Sequence, residues 1–395
     1  MSKLLGMLGL SSPREFVGHF DPAALPETVP SGMGGTPVNL LTHELLRRGQ
    51  RVALFTLDKE VKQEVVLRGP QLTICIVPWR AGRPARDFFA AERAGLLRAV
   101  QRERPDFLHA QWTYEYSLVA QSSGIPHVIT AHDAPWSVLR LNFIPFRVAR
   151  TLMAYRVLMR AKLVAGVAPY VARHLRRYML YRGPALVIPN GMPASLFDRE
   201  PRACSEGAPV TFATVLAGWS GRKNGEAAIE AFAKVRQTVP DARLLMFGNG
   251  HGAGEPAERW ANERGWAGGI EFAGHVPHEV VLRRLGGEVD VLVHPALEEA
   301  QPMALIEAMA QRVPVIAGRR SGGVPWTLDD GRAGVLVDIT RPDEIASAML
   351  ELAQDPQLRH DWGEKGRKLA EERFHIRSVA DAYEPIYAEL ATMAR

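Results

Sequence analysis

The alternation of short apolar runs with longer amphipathic segments constrains this chain more than any single motif does. "KLLGML", "RVALFTL", "QLTICIVP", "PDFLHA", "PHVITAHD", "KLVAGV" and "ALVIPNG" can each form a buried strand, and the intervals between them can hold helices. Strands covered on both faces read as continuous apolar runs, so a parallel sheet with crossover helices is expected. After the Pro-Asn-Gly turn of "VIPNGMPASLF" the pattern restarts with "PVTFATVLAG", "ARLLMFG", "GIEFAG", "VDVLVHP", "VPVIAG" and "GVLVD". The expected class is α/β, as two doubly wound Rossmann-like domains facing a central cleft. Their expected bounds are 1–192 and 193–374. A C-terminal helix over 375–395 then either caps its own domain or crosses back to the first.

The 395 residues are enough for two cores, and 47% hydrophobic with 23% charged residues is ordinary globular composition, which argues against disorder. The opening "MSKLLGMLGLSSP" has an apolar part of only about seven residues and no clear cleavage site, so it reads as a first buried strand rather than a signal peptide. No apolar run approaches the ~18 residues of a membrane span. Cys75 and Cys204 lie far apart and make neither a metal-ligand spacing nor a disulfide framework, so a reducing, cytoplasmic setting is expected. Charge is unevenly placed. Residues 1–190 carry 25 lysines and arginines against 13 aspartates and glutamates, and the remainder carries 23 against 30. The two halves face different partners.

Several turns could hold an anion. "SGMGGTPVNLLTHELLRRGQRVALFT" reads as glycine loop, helix, stop and strand, with Thr36 as cap, Pro37 at the first helical position and Gly49 at the end. Gly32, Gly34 and Gly35 are not the dinucleotide fingerprint, because Pro37 occupies the third glycine's place. A purely structural turn is the alternative. "AGWSGRKNGEAAIEAF" puts Arg222 and Lys223 at a strand-to-helix turn, where they can meet phosphate oxygens; a solvated basic turn is the alternative. Gly248, Asn249 and Gly250 in "LLMFGNGHG" stand at another strand's carboxyl end.

In "HPALEEAQPMALIEAMA", Pro302 can open a helix, with Glu307 about one turn inside and Glu299 in the loop ahead. Two carboxylates flanking a helix start suit a general acid and base pair, the gripping of hydroxyl groups on either side of a phosphate, or simple support of the helix dipole. His132 and Asp133 in "HVITAHDAPW" follow a strand, and adjacent residues there point to opposite faces. His275 and His278 lack further ligands, so no metal site is expected. From Ala134 to Phe197 there are ten basic residues and no acidic one. As a helix, "VARHLRRYM" sets Arg173, Arg176 and Arg177 on one face and Val171, Leu175, Tyr178 and Met179 on the other. "FRVARTLMAYRVLMRAK" spreads its bases around the helix and is not a clean amphipathic membrane segment.

Together, "GMGG", "LRRG", "TAHD", "VIPNG" and above all "HPALEEAQPMALIEAMAQRVPVIAG" resemble the retaining glycosyltransferases of family 4, also called group 1, which have the GT-B architecture. The last segment is similar to that family's paired-glutamate element, and its spacing selects Glu299 over Glu298. The resemblance implies a nucleotide-diphosphate sugar as donor substrate, with no cofactor and no metal. It implies Glu307 on the ribose hydroxyls, Glu299 near the reacting carbon, backbone groups of Met303 and Ala304 by the sugar and diphosphate, and Lys223 on phosphate charge. Gly34 and Gly35 approach the diphosphate, and His132 lies near the sugar and the acceptor hydroxyl. The chain departs from the family at Gly218, where an arginine is common and Arg222 offers a substitute, and at "AQPMALI", so the sugar's identity is not carried over.

The expected activity is therefore metal-independent sugar transfer to a lipid-linked or saccharide acceptor. It belongs to polysaccharide or glycolipid biosynthesis at the inner face of the cytoplasmic membrane, with an anionic surface met by Arg173, Arg176 and Arg177. No nucleic-acid partner is expected. Nucleotide-sugar epimerisation or hydrolysis on the same fold, and a non-catalytic protein binding nucleic acid or an anionic surface, are the alternatives.

Overall fold

The computed structural model describes residues 3–82, 84–199 and 209–393; Cys204 lies outside them. The chain divides into two compact units, one formed by Met1–Gly191 with Ile376–Arg395 and the other by Met192–His375.

The first unit contains β1 (Leu4–Leu8), β2 (Arg51–Asp58), β3 (Val65–Arg68), β4 (Leu72–Pro78), β5 (Phe107–Gln111), β6 (His127–Ala131), β7 (Val164–Gly166) and β8 (Ala185–Val187). They form one sheet in the order β3-β4-β2-β1-β5-β6-β7-β8. Every neighbouring pair is parallel except β3, which runs antiparallel on β4. The apolar pattern does not anticipate β3, because four residues at a half-covered edge leave too short a signal. β1 lies at the centre, and a Cβ on Gly6 would fall 2.4 Å from Leu108 Cδ2, so any larger residue there would push the Leu108 side chain aside.

The C-terminal helix Ile376–Met393 belongs to this unit. Ile376, Val379, Tyr383, Tyr387 and Leu390 recur at helical spacing and enter the same core as Leu5, Val38, Leu45 and Phe107. Pro385 is tolerated on the exposed side. Arg48 fastens the helix, donating to Asp381 Oδ1 at 2.7 Å, Glu384 Oε1 at 3.0 Å and the Arg377 carbonyl at 2.9 Å. Beneath it, His109 Nδ1 lies 2.7 Å from Tyr387 Oη, and Thr130 Oγ1 lies 2.7 Å from both His109 Nε2 and Tyr383 Oη. In helix Pro169–Tyr178, Val171, Leu175 and Met179 are buried. Tyr178, expected on that face, is exposed, since it closes the helix and lies beside His174 and Arg177.

The second unit contains β9 (Thr211–Val215), β10 (Arg243–Phe247), β11 (Ile270–Gly274), β12 (Val291–His294), β13 (Val315–Gly318) and β14 (Val335–Val337). All pairs are parallel, in the order β11-β10-β9-β12-β13-β14. This is a doubly wound sheet whose direction reverses between β9 and β12, the place where such sheets bind ligands. Leu245 and Phe247 pack on one face and Leu244 and Met246 on the other, so the alternation of a strand feeds two cores.

Tyr387→Phe leaves buried His109 Nδ1 without its partner. We expect a loss of about 1–3 kcal/mol in urea denaturation; an unchanged stability would show that the helix is not held through this bond.

Candidate functional site

The strand-reversal point of the second unit is built by two loops fastened to one another. After β9 the chain turns through Arg222, Lys223 and Asn224 into helix Gly225–Thr238. Asn224 adopts φ +52°, and its side-chain amide donates to the carbonyls of Pro295 at 3.1 Å and Ile339 at 2.9 Å. Leu297 N in turn donates to the Arg222 carbonyl at 2.9 Å. The basic turn after β9 is thus fixed against the acidic loop after β12.

Their side chains meet as this backbone dictates. The Lys223 ammonium pairs with Glu299 Oε1. Arg222 Nη1 donates to the Glu298 carbonyl at 2.9 Å and lies 3.4 Å from Glu298 Oε2 and 3.9 Å from Glu299 Oε2. His294 Nε2 is 3.4 Å from Glu299 Oε1. The Glu299 carbonyl accepts from Gly323 N at 2.8 Å, which anchors the loop beyond β13. Burial would raise the Glu299 carboxyl, but Lys223, then His294 and Arg222, outweigh it and hold the group down at about 2. Glu299 is ionised at neutral pH.

Pro302 then caps helix Met303–Ala310. Met303 is half-buried and Ala304 buried, and their amides stand in the first turn, ahead of any intrahelical acceptor. Glu307 is buried one turn inside, its Oε1 2.8 Å from Nε2 of half-exposed His278. The two glutamates therefore have separate partners, Lys223, Arg222 and His294 for Glu299 and His278 for Glu307. Gly248, at the end of β10, has φ +122°, and a Cβ there would fall 1.8 Å from the Leu216 carbonyl oxygen. Only glycine fits.

In the first unit, Gly34 has φ +88° and faces open space. Thr36 does not cap its helix. Gly35 caps it in the left-handed conformation, with φ +95° and no side-chain bond, and Thr36 is the first helical residue. A Cβ on Gly35 would fall 2.0 Å from the Leu10 carbonyl oxygen. His132, just past β6, places Nε2 2.6 Å from Gln111 Oε1, and Gln111 Nε2 lies 3.1 Å from His109 Nε2. Gln111 Oε1 can only accept, so His132 donates to it from Nε2, and Gln111 Nε2 donates to His109 Nε2. Burial pushes the His132 imidazole down to about 3. Asp133 Oδ2 instead accepts from Tyr114 Oη at 2.6 Å. Arg173, Arg176 and Arg177 are exposed on their helix.

Sequence reasoning missed His294, the partnership of His278 with Glu307, and Gln111 beneath His132. It also missed Trp112, whose strained φ of +62° holds its ring 4.5 Å from that of His132. His294 carried one legible signal, its place at a strand's carboxyl end.

Residues 211–369 match the family described as glycosyl transferases group 1, and residues 35–196 match Glycosyltransferase Family 4. The chain belongs to this family of retaining glycosyltransferases. This glycosyltransferase is 29% identical over 282 residues to the GDP-mannose-dependent alpha-(1-6)-phosphatidylinositol monomannoside mannosyltransferase of Mycolicibacterium smegmatis, covering 66% of this chain and 69% of that one. It is 25% identical to the D-inositol 3-phosphate glycosyltransferase of Corynebacterium jeikeium, covering 94% and 95%. Among solved structures, sucrose-phosphate synthase from Thermosynechococcus elongatus superimposes with a TM-score of 0.78 at 20% identity over 99% of this chain and 100% of that one. The fold is GT-B.

Two predictions follow from the electrostatics of the glycosyltransferase. Lys223→Ala takes from the mostly buried Glu299 carboxylate its nearest cation, leaving Arg222 at 3.9 Å and His294 at 3.4 Å, and is expected to cost about 3 kcal/mol in urea denaturation, whereas Lys223→Ala with Glu299→Gln should cost less. Equal costs would show that the pair is uncoupled. Burial also pushes His43 and His174 down to about 4, and His109, like His132, to about 3. The unfolded chain takes up protons near 6.5 that the fold excludes, so stability is full above that pH and falls as pH drops toward 4. Glu299, depressed instead, loses its contribution only below about 4.5. Denaturation midpoints equal at pH 7.5 and 5.5 would contradict histidines held neutral by the fold.

Proposed function

We propose that this glycosyltransferase moves a sugar from a nucleotide-diphosphate sugar to a lipid-linked or polysaccharide acceptor, without a metal ion. The observation that carries the reading is the pairing of Lys223 and Arg222 with Glu299, just ahead of the helix start at Met303 and Ala304. Two fixed cations and free amides of a helix start supply what a diphosphate requires. Glu307 takes the ribose hydroxyls, Glu299 the sugar near its reacting carbon, and Gly248 leaves room for the nucleotide. Gly34 and Gly35 serve the diphosphate, and His132 serves the sugar and the acceptor hydroxyl.

The reaction is a front-face displacement. The bond from the anomeric carbon to the diphosphate oxygen breaks, the acceptor oxygen bonds to that carbon on the same face, and the acceptor's proton passes to the departing phosphate oxygen. Lys223, Arg222 and the helix amides stabilise the charge that develops on the leaving group. Ionised Glu299 stabilises positive character at the anomeric carbon.

A relative named for its dependence on GDP-mannose, and the structure of HepE from Anabaena in complex with UDP-glucose, support a nucleotide-sugar donor. A phosphatidylinositol monomannoside in one relative's name and lipopolysaccharide core in another's support an acceptor carried on a lipid. Among the described residues no helix is long and apolar enough to cross a membrane. The location proposed is peripheral, on the inner face of the cytoplasmic membrane, with Arg173, Arg176 and Arg177 toward anionic headgroups.

A thermal-shift panel of UDP, GDP, ADP, TDP and CMP in the presence of EDTA is expected to show a selective rise with one diphosphate. A rise that requires added magnesium would overturn metal independence. Glu307→Ala should weaken that diphosphate at least about tenfold, and an unaltered affinity would remove the ribose role.

A further inference from the structure

The first unit carries an apolar groove that the transfer chemistry leaves unused. It has a volume of about 1400 Å³, with Trp79 and Phe88 on one side and Phe143, Ile144, Phe146 and Leu152 on the other. Most of the large apolar side chains exposed among the described residues lie between Trp136 and Met159, with Phe143 79% and Leu152 52% exposed. A monomer in water rarely shows such a surface unless something covers it. The groove also exceeds the ~300–1,000 Å³ usual for a small-molecule pocket.

The stripe was hidden in the sequence by the arginines interleaved with it. In helix Pro145–Leu158, Arg150 turns inward and pairs with Glu115 at 2.6 Å, beneath the aromatic ring of Tyr114. Phe146, Ala149 and Leu152, three positions apart, are left lining the groove.

Charge selects the occupant. Asp87 and Glu92 are both taken by Arg80, at 2.8 Å each, while Lys59 and Arg86 also line the groove. The segment from Ala134 to Phe197, which supplies one wall, contains ten basic residues and no acidic one. An apolar trough with a cationic rim complements a hydrocarbon chain that carries an anionic head.

We propose that this groove holds the hydrocarbon chain of an anionic membrane lipid, with Lys59 and Arg86 at its headgroup. It rests on the lipid-acceptor reading only in taking that lipid as the acceptor. Binding is measured without donor, so transfer to a non-lipid acceptor would leave the groove standing, and an empty groove would leave the transfer reaction standing.

The test uses the full chain with vesicles of phosphatidylcholine, alone or with phosphatidylglycerol brominated in its acyl chains. Bromine quenches tryptophan only where the protein reaches the hydrocarbon, and Trp79 lies in the groove. Wild-type protein should sediment with the anionic vesicles and be quenched. Phe143→Asp with Leu152→Asp, at exposed positions where an unchanged melting temperature checks the fold, should lower vesicle affinity about tenfold or more and abolish quenching. Arg173→Ala with Arg176→Ala and Arg177→Ala should weaken sedimentation with the anionic vesicles, while the protein that still binds should be quenched as fully as wild type. The proposal is overturned if wild type is not quenched, if the Phe143 and Leu152 variant is quenched equally, or if only the arginine variant loses it. Lipid-free self-association abolished by the Phe143 and Leu152 variant would make a second copy the occupant and overturn it as well.

Discussion

The ion pair between Lys223 and Glu299 exists only because two loops are held in one register, and the second unit is organised to hold them. Asn224 could not reach the Pro295 and Ile339 carbonyls without its left-handed backbone, and Leu297 could not reach Arg222 without β9 and β12 side by side. Burying a carboxylate with a nearby ammonium is costly unless the geometry satisfies both. Here the backbone fixes that geometry before any ligand arrives, so a diphosphate would meet cations already oriented.

The first unit handles its polar groups differently. His109, Gln111, Thr130, Tyr383 and Tyr387 form a buried neutral network whose outer member is His132. The histidines in it are held uncharged, which suits a hydrogen-bonding role better than a proton reservoir. One unit thus presents fixed charge, and the other a fixed tautomer.

Much of the fold was legible because its strands are buried on both faces and therefore read as continuous apolar runs. β3 was not, since four residues at a half-exposed edge give no period. Glu299, Glu307, Lys223 and Arg222 could be singled out because charged residues at strand-to-helix turns are visible locally. His278 could not be assigned to Glu307, nor Gln111 to His132, because those pairs join residues far apart in sequence and depend on how helices and strands lie together. The groove beside Phe143 was illegible for a related reason. A helical projection counts Arg150 as an outward charge, and only the position of Glu115 shows that it turns inward. Thr36 misled because a capping residue type sat one place beyond a glycine able to take the cap conformation itself.

The last helix of the chain completes the core of the first unit, with Ile376, Tyr383 and Leu390 among its members. That has a consequence for biosynthesis. The ribosome delivers the whole of the second unit before the residues that close the first. The first unit must wait, with Leu45 and Phe107 lacking their cover, while the second has every residue it needs to fold. Vectorial synthesis therefore reverses the order of the sequence: the unit made later is the one able to finish first.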